Sequence, residues 1–324
     1  MRRLDDTSLM YASAAVKVRE AKDRDTAVIE RIVSAPDYAG ALKAFGELEC
    51  AASCGADFEA AINGATAELF AFLDEALGGE ATEITDYLRA EYLCLDIKSM
   101  LKSAVFGREF PESAFFPAGG LTLPELLRIG ENAQYSLLPV PFANYAAKAA
   151  ETAAKTHDPS EIDALTDRAC FEYMAEKAAA SGVELLGILT ALKADFTNIT
   201  CRIREKATGR RNRGGAFAGG TLDEESLDVI AEGGEKAVSL LKAHGFETLA
   251  SLFSASLPDA AALRRECDRL YIRQLDRYFF VPFGPDTIVA YGEKKKNSLR
   301  MLRIAMTCKK VGLAESEIRR RIII

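Results

Sequence analysis

The chain has 324 residues, of which 49% are hydrophobic and none is tryptophan, and its formal net charge is −7. The apolar fraction is that of a globular protein and excludes an intrinsically disordered chain. The acidic balance argues against a protein that coats nucleic acid, and no run approaches the roughly 18 apolar residues of a bilayer span. The first twenty residues carry charges where a signal peptide needs an apolar core, which predicts a cytoplasmic protein. The length of the chain predicts two or three domains.

Nearly every segment favours α-helix, because Ala, Leu, Glu, Lys and Arg dominate its composition. The predicted helices cover residues 10–35, 56–77, 88–106, 140–153, 159–180, 185–203, 258–280 and 286–311. The clearest is the helix over 185–203, whose apolar residues form one continuous stripe. Thr122 is a predicted N-cap of a further helix, since Pro124 and Glu125 complete the start signal. No series of alternating strands is found, and the predicted fold class is all-α.

A repeat of about a hundred residues runs through these helices. Asp96 and Asp195 open similar segments, DIKSM and DFTNI, ninety-nine positions apart. The pairs Gly119-Gly120 and Gly219-Gly220 are one hundred positions apart, and each leads into a helix start. Ser298 stands at the matching place in a third segment, SLRML. The sequence therefore predicts three similar helical domains, each large enough to hold a core. They cover residues 1–112, 113–214 and 215–324.

Asp195 and Asn198 lie three positions apart on an otherwise apolar helix, where a carboxylate and an amide are either catalytic or structural. A catalytic pair occurs once per active site, whereas this pattern recurs in part at Asp96. We therefore expect these residues to bind buried backbone groups, cap a neighbouring helix or line a shared surface. No nucleophilic triad can be assembled from the two isolated histidines, His157 and His244, so the protein is predicted not to be an enzyme.

The seven cysteines are widely scattered, and their odd number does not resemble a secreted disulfide framework. Cys50 and Cys54 are four positions apart, but no histidine lies at the spacing that would complete a zinc site. We expect reduced structural thiols, without a metal or a cofactor.

Two segments are basic although the chain as a whole is acidic. The first consists of Arg202, Arg204, Lys206, Arg210, Arg211 and Arg213. We interpret it as the cationic C-terminus of a helix, with a helical scaffold that binds RNA as the alternative. The Gly-rich stretch GGAFAGG that follows lacks the Gly-Lys-Ser/Thr ending of a P-loop. The second segment, residues 293–321, holds ten basic and three acidic residues, which suits an acidic partner, anionic headgroups or a solvated helical face.

A C-terminal segment carries the clearest family resemblance. It reads PFGPDTIVAYGEKKKNSLRMLRIAMTCKKVGLAESEIRRRI and resembles the C subunit of prokaryotic V-type and A-type ATPases, the relative of the d subunit in the eukaryotic vacuolar enzyme. The matching positions are Phe283, Gly284, Pro285, Ala290, Tyr291, Leu302, Arg303, Ile304, Gly312 and Leu313. The segments SAPDYAGAL and DFTNITCRIREKATG are also similar to the family, so the resemblance covers essentially the whole chain. Ser99, Ser298 and Met301 depart from the family's polar pattern.

The resemblance implies a non-catalytic, funnel-shaped protein of three similar domains around a pseudo-threefold axis. It also implies a place between the central-stalk subunits and the membrane rotor ring of a rotary ATPase, where the protein transmits torque between ATP turnover and proton or sodium movement. Membrane contact is expected only through the complex, without nucleic acid, and the isolated protein is expected to be monomeric. The candidate partner-interface residues are Asp96, Asp195, Asn198, Arg202 and Arg303.

Overall fold

The computed structural model describes residues 9–51, 57–112, 115–209, 215–254 and 256–323. Those residues form α-helices and short 3-10 turns but no β-strand, which confirms the predicted all-α class. The helices of the first part are α1 (Met10–Lys22), α2 (Asp25–Ser34), α3 (Tyr38–Phe45), α4 (Phe58–Leu77), α5 (Thr82–Phe106), α6 (Leu123–Glu131), α7 (Val140–Thr156) and α8 (Ser160–Ser181). The others are α9 (Glu184–Thr208), α10 (Glu224–Glu232), α11 (Gly234–Ala243), α12 (Glu247–Ser251), α13 (Ala260–Asp276), α14 (Pro285–Lys310) and α15 (Glu315–Arg319).

Several helices begin with a capping side chain, and the N-cap predicted at Thr122 is one of them. Thr122 and Glu125 form the capping box of α6, in which the Thr122 backbone N–H donates to the Glu125 carboxylate at 2.9 Å. Asp37 caps α3, and its carboxylate accepts a hydrogen bond from the backbone N–H of Gly40 at 2.8 Å. Asp223 caps α10 in the same way. These side chains satisfy backbone N–H groups that have no partner within the first turn of a helix.

The prediction of one continuous helix over residues 10–35 is wrong, because α1 ends at Lys22 and α2 begins at Asp25. The Asp23 carboxylate accepts a hydrogen bond from the Asp25 backbone N–H at 2.8 Å, which replaces the helical hydrogen-bond pattern. Lys295 of α14 lies 3.0 Å from the Asp23 carboxylate and 2.7 Å from that of Asp25. The break is therefore held by a residue that is far away in the sequence.

Three clusters of buried apolar side chains organise the fold around the long helices α5, α9 and α14. The largest contains most of α5 together with the N-terminal halves of α9 and α14. The C-terminal half of α9 enters a second cluster with α10 to α13. The C-terminal half of α14 enters a third cluster with α2, α3 and α4. The helices α9 and α14 therefore begin in a core that they share with α5 and end in cores of their own.

Candidate functional site

Four charged side chains, which we call the charged cluster, meet where the three long helices come together. They are Glu91 of α5, Lys193 of α9, and Glu293 and Lys296 of α14. The Nζ atom of Lys193 lies 3.1 Å from the Glu91 carboxylate and 3.5 Å from that of Glu293. The Nζ atom of Lys296 lies 3.1 Å from Glu91 and 2.9 Å from Glu293. Each lysine bridges both carboxylates, so the cluster is neutral overall and joins three distant parts of the sequence.

The charged cluster keeps its four members ionised. Burial opposes ionisation of Glu293, but Lys193 and Lys296 outweigh it and hold the pKa of Glu293 below its ordinary value. Burial also opposes the charge on Lys296, while Glu293 and Glu91 raise its pKa. Desolvation likewise opposes the charges of Glu91 and Lys193. Lys193 and Lys296 nevertheless lower the pKa of Glu91, and Glu293 and Glu91 raise the pKa of Lys193. Glu293 and Lys296 are buried, so removal of the partner of either one leaves a buried charge with less compensation, which is costly.

The charged cluster occupies equivalent positions of the sequence repeat. Glu91 lies five residues before Asp96, and Glu293 lies five residues before Ser298. The two lysines each lie two residues before the repeat position that Asp195 and Ser298 share. The register of the repeat is visible in the sequence but the cluster is not, since each member alone resembles an ordinary helical surface charge. The signal that could have found it is complementary charge at matched positions of the repeat.

Asp195 and Asn198 bind the loop that precedes α10. One carboxylate oxygen of Asp195 accepts hydrogen bonds from the backbone N–H groups of Thr221 at 2.8 Å and Leu222 at 3.0 Å. The other oxygen accepts from the Thr221 hydroxyl at 2.7 Å. Asn198 accepts from the backbone N–H of Phe217 at 2.7 Å and donates to the carbonyl of the same residue at 3.3 Å. Both side chains are buried, and the expectation that they bind buried backbone groups is confirmed.

Among the described residues, Asp96 accepts one hydrogen bond from the corresponding loop of the first repeat. Its side chain is fully buried, and Oδ1 accepts from the backbone N–H of Phe116 at 2.9 Å. Its Oδ2 atom has no hydrogen-bond partner among the described residues. Burial raises the pKa of Asp96 to about 7, against the opposing effect of the Phe116 hydrogen bond. Asp96 therefore differs from Asp195 in having an acceptor that the loop leaves unused.

Two glycines allow these loops to lie directly against the carboxylates. A Cβ atom at Gly220 would lie 2.5 Å from Oδ1 of Asp195, and one at Gly119 would lie 2.6 Å from Oδ2 of Asp96. Neither place can hold a larger residue without a shift of the loop or the carboxylate. The Gly-Gly pairs that marked the repeat in the sequence are thus the points where each loop packs on its long helix.

Arg202 and Arg303 form ion pairs within the chain. Arg202 pairs with Glu224 and lies 3.1 Å from the carboxylate of Asp228, so it holds α10 against α9. Arg303 of α14 donates to the carboxylate of Glu59 at 2.7 Å and so binds α4. The structure brings Arg202 into the same region as Asp195 and Asn198, whereas Asp96 and Arg303 lie on the other two long helices. A contact of these five residues with a partner stays a prediction.

The second basic segment is largely bound within the chain, whereas in the described part of the first segment the ion pairs are those of Arg202. Besides Arg303, the second segment uses Lys295 to bind α2 and Lys309 to donate to the carbonyl of Ala35. In the first segment, Arg202 forms the ion pairs described above. The predicted basic residues Arg210, Arg211 and Arg213 of that segment lie outside the described residues.

The described residues contain no group of three or more His, Cys, Asp or Glu side chains that could hold a metal ion. Cys94, Cys170, Cys267 and Cys308 are buried thiols, while Cys54 lies outside the described residues. Within the same ranges, no helix combines the length and the apolar character that a bilayer span requires.

These contacts define an all-helical protein whose charged and amide side chains hold its own helices and loops together. A family model described as the ATP synthase (C/AC39) subunit matches residues 12–321. The match covers nearly the whole chain, and the protein belongs to this family. The chain is also similar to the C subunit of the V-type ATP synthase from two strains of Thermus thermophilus. Each relative is 22% identical over 330 residues, which cover 97% of this chain and 98% of the relative.

Proposed function

We propose that this chain is the non-catalytic subunit of a rotary V-type or A-type ATPase that couples the central-stalk shaft to the membrane rotor ring. The protein would lie at the cytoplasmic face of the membrane as a peripheral part of the complex. Its role would be to transmit torque between ATP turnover and the movement of protons or sodium ions. Family membership supports the assignment to such a complex. The match extends over nearly the full length of the relatives, which supports applying the assignment to the chain as a whole.

The observation that carries the coupling role is the charged cluster. A part that transmits torque must resist the rotation of its helical units against one another. The cluster joins α5, α9 and α14 by four ion pairs with distances between 2.9 and 3.5 Å. The shared apolar core lies beside it, and a closely packed interior has low compressibility and transmits strain. The ion pairs make this packing specific, because they can form only when the three helices keep one relative arrangement.

We further propose the three-domain, pseudo-threefold funnel with boundaries near residues 112 and 214. Its support is the equivalent placement of the charged cluster in the repeat and the similar use of Asp96 and Asp195 against a following glycine loop. In this arrangement the five candidate interface residues hold loops and helices in place, and it is chiefly these loops and helices that contact the partners. Arg202 and Arg303 are partly exposed and are the members best placed for direct contact.

The proposal is tested by assembling the ATPase complex with and without this chain in sealed membrane vesicles. ATP hydrolysis and ATP-driven ion uptake are measured in parallel. We expect omission of the chain to abolish ion uptake while the catalytic part still hydrolyses ATP, because the two activities lose their mechanical connection. Full ion uptake without the chain would overturn the coupling role. Recovery of the chain with RNA and without the other ATPase components would instead support the RNA-binding scaffold.

A double substitution then tests the charged cluster itself, without leaving an unpaired buried charge. Glu293→Gln with Lys296→Met keeps the pair between Glu91 and Lys193 but removes the two charges of α14. We expect fewer ions transported per ATP hydrolysed. The matched control is Glu151→Gln with Lys155→Met, which removes an exposed ion pair of α7 and should leave the coupling ratio unchanged. Equal coupling ratios in the two variants would show that the cluster has no part in torque transmission.

A further inference from the structure

A loop between α13 and α14, residues 277–284, exposes three phenylalanine side chains, and we call it the aromatic loop. Phe280 is 88% exposed, while Phe279 and Phe283 are each about half exposed. The rings of Phe279 and Phe280 pack edge to face with their centroids 5.0 Å apart. Exposed aromatic side chains normally occur singly on soluble surfaces, so three within five residues point to a contact surface.

The structure holds the aromatic loop in one place on α1. The Lys17 ammonium donates to the carbonyl of Phe279 at 2.6 Å. The backbone N–H of Gly284 donates to the Ser13 hydroxyl at 3.1 Å. Met10 lies one turn before Ser13 and is also about half exposed, which extends the apolar surface along the same face of α1. The exposed rings are therefore presented by a fixed loop and not by a free segment.

Cations surround this apolar surface. The Nζ atoms of Lys17 and Lys294 lie 5.4 Å and 5.3 Å from the centroid of the Phe279 ring, and each lysine pairs with one acidic residue. Arg277 begins the loop, is exposed, and forms no ion pair within the described residues. Residues 277–284 contain one charged side chain, Arg277, so the loop itself is positively charged on a chain whose net charge is −7. Acidic residues also lie beside the loop, since burial and then the charges of Asp286 and Glu184 raise the pKa of Tyr278.

We propose that the aromatic loop contacts the headgroup region of an anionic lipid bilayer directly. Aromatic side chains prefer the interface between hydrocarbon and water, and basic residues beside them are attracted to anionic headgroups. This goes beyond the proposed coupling role, which requires no contact between this chain and lipid, and it replaces the expectation that the membrane is contacted only through the complex.

The shape of the loop favours lipid over a protein partner. In a protein complex, an aromatic side chain contributes strongly only where the partner supplies a packed pocket and a rim that excludes water. Phe280 instead projects from a turn, with most of its surface open to solvent. A bilayer interface needs no such rim, because lipid molecules rearrange around a projecting ring.

The absence of tryptophan from the chain permits a direct test. Phe280→Trp places a single fluorophore at the tip of the loop, and Leu137→Trp places one at another exposed site, just before α7, as a control. The purified variants are titrated with vesicles of phosphatidylglycerol and of phosphatidylcholine. We expect the emission of Phe280→Trp to shift to shorter wavelength with phosphatidylglycerol only, and the emission of Leu137→Trp to stay constant.

A second set of variants measures binding by vesicle flotation. Phe280→Ser should lower the partition onto phosphatidylglycerol vesicles about tenfold or more, the effect expected for loss of one buried phenylalanine. Arg277→Glu should weaken the same partition and reduce its sensitivity to salt, because it removes a cation from the contact. The proposal is overturned if Phe280→Trp shows no shift with either lipid, or shifts only with membranes that contain rotor-ring proteins. It is also overturned if Phe280→Ser floats as well as the unmodified chain.

Discussion

Thr221 donates two hydrogen bonds to Asp195, one from its backbone N–H at 2.8 Å and one from its hydroxyl at 2.7 Å. The two residues are separated by the C-terminal half of α9 and by a segment that includes residues 210–214, which lie outside the described ranges. A buried carboxylate therefore fixes the point where the chain returns to α9 before α10 begins. The carboxylate stabilises the fold because it supplies acceptors to backbone N–H groups that would otherwise be buried without partners.

Asp195→Ala should strongly destabilise the protein. The substitution leaves the buried backbone N–H groups of Thr221 and Leu222 without acceptors, and we expect the free energy of unfolding to fall by about 3 kcal/mol. Denaturant unfolding followed by circular dichroism measures this change. Asp228→Ala is a suitable control, because Asp228 is largely exposed and should cost about 0.5 kcal/mol or less. Equal losses for the two variants would contradict the structural role of Asp195.

The pKa of Asp96 makes stability depend on pH. The folded state raises this pKa from 3.8 to about 7, so the folded protein holds a proton that the unfolded chain releases at lower pH. The contribution of Asp96 to the free energy of unfolding should therefore decrease as the pH rises from about 4 to about 7. Asp96→Asn mimics the protonated form and should remove this part of the pH dependence. The measurement is denaturant unfolding of both proteins at about pH 5 and about pH 8, and identical pH profiles would refute the expectation.

A double-mutant cycle can measure the coupling between Glu293 and Lys296. Lys296→Met alone leaves Glu293 with one remaining partner, and we expect a loss of about 3 kcal/mol in the free energy of unfolding. Adding Glu293→Gln should recover part of that loss, since the second change removes the buried carboxylate that has lost one of its two lysine partners. A coupling energy of about 1 kcal/mol or more would support the ion-pair geometry. Strictly additive single changes would mean that the two side chains do not interact.

Gly220→Ala tests the close approach of the loop to Asp195. The added Cβ would lie 2.5 Å from the carboxylate, and we expect the loop to shift at a cost of about 1 to 3 kcal/mol. Gly187→Ala is a matched control within α9, where the new Cβ meets no atom within 4 Å. That change should stabilise the helix by up to about 1 kcal/mol. The two alanine variants should therefore shift the thermal unfolding midpoint in opposite directions.

The sequence predicts the long helices well, because their signals are local. The apolar stripe over 185–203 lies within α9, and Thr122 caps α6 as expected. The break between α1 and α2 could not be predicted in the same way, since it depends on Lys295. No local pattern shows that a lysine of α14 will bind acids at positions 23 and 25.

The residues of the candidate site were predicted only in part, for a related reason. The repeat identified Asp195 and Asp96 as related positions, and the structure finds each of them against a glycine loop. The repeat could not reveal that, among the described residues, the Asp195 carboxylate accepts three hydrogen bonds and the Asp96 carboxylate accepts one, because the two loops differ. The charged cluster was not predicted, since its members lie in three helices about a hundred residues apart and each one alone resembles a surface charge.

The third apolar cluster has a consequence for the order in which the protein folds. Its members include Ile29 of α2 and Ile62 of α4 together with Leu302 and Met306 of α14. The ribosome makes these partners more than two hundred residues later. During synthesis the apolar faces of α2 to α4 must wait for α14, and contacts between such distant residues form slowly. The first helices to leave the ribosome are thus among the last to be buried, and they are the part of the nascent chain that most needs protection from aggregation.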